Sequence, residues 1–106
     1  DYFISIHTNA SNSASVSGTE ALVYSVPSVA EELGEDILIG LNNATGLKNR
    51  GIKVRPGLYV LRKTNMPAVL IELGFISNPS DANLMANNPQ LFARGIYNGI
   101  LDFLDL

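Results

Sequence analysis

Hydrophobic and polar positions in the first quarter of the chain predict two strands separated by a loop. Residues 2–6 form a nearly continuous run of aromatic and β-branched side chains, which is typical of a strand buried on both faces. Residues 19–25 alternate, with Leu22 and Tyr24 on one side and Ala21 and Val23 on the other, as in a second strand. Residues 9–17 are rich in Asn and Ser and predict the loop between them.

A helix is predicted from residue 28 onward, because apolar residues recur there every three or four positions. One stripe along this helix contains Val29, Leu33, Ile37, Leu41 and Ala44. Ser28 and Glu31 have the spacing of a capping box at its start. Gly46 can end it in the left-handed conformation that glycine adopts readily. The stripe and the two ends therefore agree.

The second half of the chain predicts two more strands and two helices. Residues 51–57 should be extended and lead into a third strand at 58–61, and Pro67 precedes a fourth strand at 68–73. Asn-Pro pairs at 78–79 and 88–89 start a short helix at 80–86 and a last helix that reaches the C terminus. Gly95 and Gly99 in this last helix are expected to permit close packing.

The order strand, strand, helix, strand, strand, helix, helix predicts an α/β fold. We expect a layered domain with a central mixed, mostly parallel sheet flanked by helices. A length of 106 residues indicates a single domain with one modest core. The chain begins inside a strand, without an initiating Met, so the N-terminal part of that domain is expected to be missing.

Composition excludes several classes of function. The net charge of −3 comes without any cluster of Lys and Arg, which argues against nucleic-acid binding. The absence of Cys removes disulfides, thiolate metal ligands and a Cys nucleophile. The longest apolar runs are too short to cross a bilayer, so no membrane insertion is expected.

Two residues are candidates for chemistry from their positions alone. His7, the single histidine, ends a predicted strand, where open α/β sheets tend to place ligand sites. Glu72 lies inside an otherwise apolar strand, where a charge without a partner is costly and where burial raises the pKa of a carboxyl. A structural histidine and a structural ion pair remain the alternatives at these two positions.

Several segments, taken in order, resemble the zinc-dependent N-acetylmuramoyl-L-alanine amidases of type 3. The most specific are SIHTN at residues 5–9 and MPAVLIELGFISN at residues 66–78. Supporting segments are GTE at 18–20, NRGIK at 49–53 and LYVLR at 58–62. The resemblance covers essentially the whole chain, with Thr8 in place of a commoner Ala. It implies that residues 1–106 are the C-terminal portion of a single catalytic domain.

The resemblance also implies roles for individual residues. His7 corresponds to one of the two histidine ligands of a catalytic zinc ion, and Glu72 to the catalytic glutamate. The family's first zinc histidine and its zinc glutamate precede the point where this chain starts, so the chain alone should bind zinc weakly. Asn9 and Glu20 are candidates for contacts near the metal or the substrate, and Arg62 is a candidate for binding stem-peptide carboxylates.

These assignments imply a peptidoglycan hydrolase that cleaves the amide between N-acetylmuramic acid and L-alanine. The 106-residue chain by itself is expected to be inactive, and the alternative is a non-catalytic module that binds cell-wall glycopeptide. Such a protein acts outside the cytoplasmic membrane, in the cell wall or periplasm, as a host autolysin or sporulation enzyme or as a phage endolysin. Unpaired strand edges are expected to favour self-association.

Overall fold

The computed structural model describes all 106 residues as four strands and four helices. In chain order these are β1 (Phe3–Asn9), β2 (Thr19–Val23), α1 (Val29–Thr45), β3 (Asn49–Val54), α2 (Tyr59–Lys63), β4 (Ala68–Phe75), α3 (Pro79–Asn87) and α4 (Pro89–Leu104). No helix combines the length and the apolar character needed to cross a membrane.

The four strands form one sheet in the order β1-β4-β2-β3. β1 pairs with β4 and β2 pairs with β3 in parallel, whereas β2 and β4 are antiparallel. The predicted α/β fold with a mixed, mostly parallel sheet flanked by helices is therefore confirmed. The C-terminal ends of β1 and β4 lie beside the N-terminal ends of β2 and β3, at the same end of the sheet.

Helices α1 and α4 cover one face of the sheet and enclose the main core. The core contains apolar side chains of β2, β4 and α1 together with Phe92 of α4. Ser28 Oγ accepts a hydrogen bond from the Glu31 amide, and Gly46 has a φ of 77°, so both predicted ends of α1 are confirmed. The helices pack so closely that a Cβ atom added at Gly40 would lie 2.2 Å from the Gly95 carbonyl oxygen.

The opposite face has a smaller apolar cluster. It contains Leu22, Leu61, Ala68 and Leu70, with α2 lying over it. The prediction of a strand at residues 58–61 is wrong, because this segment forms α2, and the third strand is Asn49–Val54 instead. A short apolar run fits a buried strand or a buried helix equally well. A turn closed by the Leu58 amide and the Arg55 carbonyl separates β3 from α2.

β1 is an edge strand with exposed side chains on both of its faces, so the prediction that it is buried on both faces is wrong. Hydrogen bonds to β4 cover only one of its edges. Ile4 packs against the main core, but Phe3 and Ile6 are exposed, the latter by 53%. Unpaired strand edges with apolar side chains favour pairing with another chain. The self-association of this chain stays a prediction, which the exposed edge supports.

Candidate active site

One polar residue from each strand lies at the same level of the sheet, on the face opposite α1 and α4. His7 of β1 is the register partner of Glu72 in β4, and Glu72 is the register partner of Glu20 in β2. Arg50 of β3 continues the series, since its Nε donates to Glu20 Oε2 at 3.1 Å. We call these four residues the polar row. Strand alternation places their neighbours Ala21 and Ile71 in the main core instead.

His7 lies at the open end of the polar row and is exposed to solvent. Its Nε2 is 2.7 Å from Ser5 Oγ, which precedes it by two residues on the same face of β1. The hydroxyl can act as donor or acceptor, depending on the tautomer of the ring. Nδ1 has no partner within the chain, so one ring nitrogen is free to bind a ligand.

Glu72 is partly buried between His7 and Glu20. Burial raises the pKa of the Glu72 carboxyl, the nearby His7 lowers it by a smaller amount, and the negative charge of Glu20 raises it further. No side chain or amide in the chain hydrogen-bonds this carboxyl. A half-buried carboxyl with a raised pKa and free oxygen atoms can exchange a proton with a bound water or substrate.

Glu20 is 8% exposed, and other side chains occupy both of its carboxylate oxygens. Asn9 Nδ2 donates to Oε1 at 2.9 Å, and Arg50 Nε donates to Oε2. The guanidinium of Arg50 also lies over the Phe75 ring, 5.3 Å from its centroid. Glu20 therefore holds Asn9 and Arg50 in place through both of its carboxylate oxygens. The structure does bring Asn9 and Glu20 together beside His7 and Glu72.

Sequence reasoning did not identify Arg50 as a site residue. A register shift in the β2–β3 pairing directs the side chain toward Glu20, and Gly51, which follows it, has a φ of 84°. A glycine inside a strand is a signal of a bulge, so the Arg-Gly pair was the available indication.

Asp81 is a second residue that sequence reasoning missed. It is 0% exposed, and it accepts hydrogen bonds from Ser17 Oγ, the Gly18 amide and the Phe75 amide at 2.6, 3.0 and 3.0 Å. These bonds tie the loop between β1 and β2 to the C-terminal end of β4, three residues after Glu72. The available signal was its position in the Asn-Pro-Ser-Asp start of α3, where an acidic side chain is expected to face backbone amides.

Arg62 lies at the other end of the sheet, away from the polar row. It lines a cleft of about 480 Å³ with Tyr24, Leu61 and Ala68. Ala68 starts β4, and the four residues from there to Glu72 span about 13 Å. The structure therefore does not bring Arg62 together with His7, Glu72, Asn9 or Glu20.

The donor chemistry of the polar row suits a zinc ion in part. A neutral imidazole with a free nitrogen is a common zinc ligand, and a neighbouring carboxylate is a common partner for the metal-bound water. The chain contains no group of three or more His, Cys, Asp or Glu side chains placed to hold a metal. His7 therefore fits as one ligand of a site that needs further ligands.

Comparisons with known proteins agree on one family. The family described as N-acetylmuramoyl-L-alanine amidase matches residues 1–102. The chain is 35% identical to the N-acetylmuramoyl-L-alanine amidase LytC of Bacillus subtilis over 107 residues, covering 97% of this chain and 21% of LytC. It is 38% identical to the probable cell wall amidase LytH of Staphylococcus epidermidis, covering 98% of this chain and 34% of that protein.

Solved structures with the same fold are also amidases. The CwlD amidase of Clostridioides difficile, solved with the GerS lipoprotein, superimposes with a TM-score of 0.90 at 32% identity. The match covers 98% of this chain and 54% of CwlD. An N-acetylmuramoyl-L-alanine amidase from Clostridium difficile 630 gives a TM-score of 0.89, with 58% of its length covered. The chain thus spans little more than half of these solved structures and a smaller share of LytC and LytH.

Proposed function

Because the chain belongs to the N-acetylmuramoyl-L-alanine amidase family, we propose that it serves the zinc-dependent cleavage of peptidoglycan between N-acetylmuramic acid and L-alanine. The observation that supports this most directly is the pairing of His7 with Glu72 in the polar row. A ring nitrogen without a partner and a carboxyl with a raised pKa lie side by side at an exposed end of the sheet. This combination suits metal-assisted hydrolysis of an amide.

His7 would hold the zinc ion through a ring nitrogen, with Ser5 fixing the orientation of the imidazole. A bound zinc ion supplies Lewis acidity, which polarises a water molecule and the carbonyl of the amide. Catalytic zinc sites usually have three protein ligands. We therefore propose that residues outside these 106 complete the site, and that the chain alone binds zinc weakly and is inactive.

Glu72 would act as the general base and then as the general acid. Its carboxylate removes a proton from water while the water oxygen bonds to the amide carbon. The same carboxyl then gives that proton to the nitrogen of L-alanine as the carbon–nitrogen bond breaks. The products are a free muramic carboxylate and a peptide with a free amine. The raised pKa of Glu72 supports both proton transfers near neutral pH.

Replacing Glu72 by Gln tests this role, because the amide keeps the shape of the side chain and cannot accept a proton. In the zinc-loaded enzyme with a complete metal site, we expect cleavage of purified peptidoglycan to fall by about 10²–10⁴-fold. Zinc content, measured by atomic absorption, should stay unchanged. Glu35→Gln is the matched control, since Glu35 is exposed on α1, and it should keep full activity. Full turnover by the Glu72→Gln protein would exclude Glu72 as the proton carrier.

The alternative is a module that binds wall glycopeptide without cutting it. The presence of a single histidine, without a group of three metal-binding side chains, favours this alternative for the 106-residue chain by itself. The cleavage assay separates the two when the residues that complete the zinc site are present, because a binding module then still retains the glycopeptide and releases no new amines at any zinc concentration.

The proposed substrate places the protein outside the cytoplasmic membrane. Relatives called cell wall amidases support an action in the wall or periplasm. A host autolysin, a sporulation enzyme and a phage endolysin all meet this condition, and the polar row is compatible with each of them.

A further inference from the structure

A cluster of cationic side chains lies at the β3 end of the polar row. Lys48, Arg50 and Lys53, together with Asn49, line a cleft of about 250 Å³ that contains no hydrophobic residue and no acid. The chain as a whole carries a net charge of −3, so this concentration of positive charge is local. β3 is the edge strand of the sheet, which leaves the cleft open to solvent. We call it the basic cleft.

Arg50 is held in place from two sides within the basic cleft. Its Nε donates to Glu20, and its Cζ atom lies over the Phe75 ring. The side chain remains 29% exposed, and the other guanidinium nitrogens have no partner in the chain. A guanidinium that is fixed through Nε presents its two remaining nitrogens as a fork, which matches the two oxygens of a carboxylate.

The neighbouring lysines add charge to the same face. Lys53 is the register partner of Leu22, whose side chain lies on the face that carries the polar row. Lys48 is exposed, directly before β3. Glu20 accepts hydrogen bonds from Asn9 and Arg50, and no acid lines the cleft itself. The surplus of positive charge is therefore available to an anionic ligand.

The distance from Glu72 to the basic cleft fits an extended peptide. Strands β4 and β3 are separated by β2 alone, which corresponds to about 10 Å at the usual strand spacing. An extended peptide covers that distance in about three residues. A stem peptide whose first amide lies at Glu72 can thus reach the cleft with its next few residues.

We propose that the basic cleft of Lys48, Arg50 and Lys53 binds a carboxylate of the acidic stem peptide attached to the amide that lies at Glu72. This inference rests on the proposed function and adds a subsite for the peptide side of the substrate. It requires that affinity for the peptide depend on free carboxylates and on this cleft. Affinity should also fall as salt rises, because the cleft is exposed.

The test compares two double variants with the same change of charge. Lys48→Glu with Lys53→Glu reverses the cleft, whereas Arg55→Glu with Lys63→Glu reverses two exposed cations elsewhere on the chain. Binding of a muramyl tetrapeptide with free carboxylates, and of its fully amidated counterpart, is measured by calorimetry. Reversal of the cleft should weaken binding of the acidic peptide by about tenfold or more, as expected for two exposed ion pairs. The other double variant should bind it like the unmodified protein.

The amidated peptide should bind equally to the unmodified protein and to both double variants, with the weaker affinity expected of the acidic peptide for the cleft variant. Equal losses in both double variants would overturn the proposal, because they would indicate a general charge effect. Unchanged affinity in the cleft variant would also overturn it. If the double variant does not fold, Lys53→Gln alone should still weaken binding by about threefold. Charge-dependent binding by an enzyme whose zinc site is complete, but without any cleavage, would support the cleft and contradict the proposed hydrolysis, so the two failures are distinguishable.

Discussion

The two faces of the sheet differ in how they are held together. The face under α1 and α4 is packed by apolar side chains and by glycines that allow backbone-to-backbone contact. The face that carries the polar row has only the small cluster under α2, and its other contacts are hydrogen bonds among Asn9, Glu20 and Arg50. Stability therefore depends mainly on packing at one face, and chemistry on fixed polar groups at the other. Substitutions at the packed face should therefore change mainly stability, and substitutions at the polar face should change mainly the chemistry of the site.

The largest effect on stability is expected at Gly40, in the contact between α1 and α4. An added Cβ atom would lie 2.2 Å from the Gly95 carbonyl oxygen and 3.0 Å from the Gly99 amide nitrogen. Backbone atoms cannot move aside as a flexible side chain can, so the helices must separate. We expect Gly40→Ala to lower the free energy of unfolding by about 3 kcal/mol, despite the better helix propensity of Ala. Urea unfolding followed by circular dichroism measures the change.

Gly57→Ala is the control for this prediction. Gly57 lies between β3 and α2, and a Cβ atom there would meet nothing within 4 Å. Its substitution should change the free energy of unfolding by less than about 0.5 kcal/mol. A Gly40→Ala protein as stable as the Gly57→Ala protein would show that α1 and α4 are not in direct backbone contact at Gly40.

A smaller effect is expected at Asp81, which stabilises the polar-row end through hydrogen bonds. Asp81 Oδ2 accepts the Gly18 and Phe75 amides, and Oδ1 accepts the Ser17 hydroxyl. In Asp81→Asn the side-chain oxygen can take the place of Oδ2. The NH₂ group then takes the place of Oδ1, so the Ser17 hydroxyl must rotate and accept a hydrogen bond where it donated one before. We expect a loss of about 1–2 kcal/mol, since a neutral amide accepts more weakly than a carboxylate.

Hydrogen exchange should show where the Asp81→Asn effect is located. The Gly18 and Phe75 amides should exchange faster, whereas amides in the middle of α1 should change only as far as global stability requires. Asp102→Asn, on the exposed surface of α4, is the matched control. It should change neither the exchange of the Gly18 and Phe75 amides nor that of the α1 amides. Faster exchange throughout α1 with no specific change at Gly18 would contradict a local role.

Features that depend on local pattern could be predicted from the sequence. The helical period of α1 and its two ends agreed, because capping and amphipathicity are both written in nearby residues. The segment at 58–61 was misassigned, since an apolar run of four residues has no period that separates strand from helix. The burial of β1 was misjudged because strand order, which places it at an edge, is not encoded locally.

The candidate site could be predicted only in part, because some of its residues lie in recognisable local segments and others are brought together only by the fold. The similarity of two segments to a known family drew attention to His7 and Glu72, which the structure places in register. The bond between Arg50 and Glu20 joins residues 30 positions apart, and the bond between Asp81 and Ser17 joins residues 64 apart. Such pairs depend on the register of the sheet and on a bulge, so inspection of single residues did not reveal them.

The smallest effect is expected on the pKa of Glu72 when Glu20 is replaced by Gln in the metal-free protein. Burial is the main cause of the raised pKa, and the Glu20 charge adds to it, so the pKa of Glu72 should fall but stay above its usual value of 4.5.

Since the folded state holds this proton more tightly than the unfolded state, the Glu72 contribution to stability is complete below that usual value. It disappears as pH rises through the raised pKa, and in the variant it should disappear at lower pH. Carbon-13 NMR titration of the Glu72 carboxyl measures the shift, with Glu35→Gln as the control. An unchanged pKa would show that Arg50 already neutralises Glu20, and that the polar row influences Glu72 through His7 and burial alone.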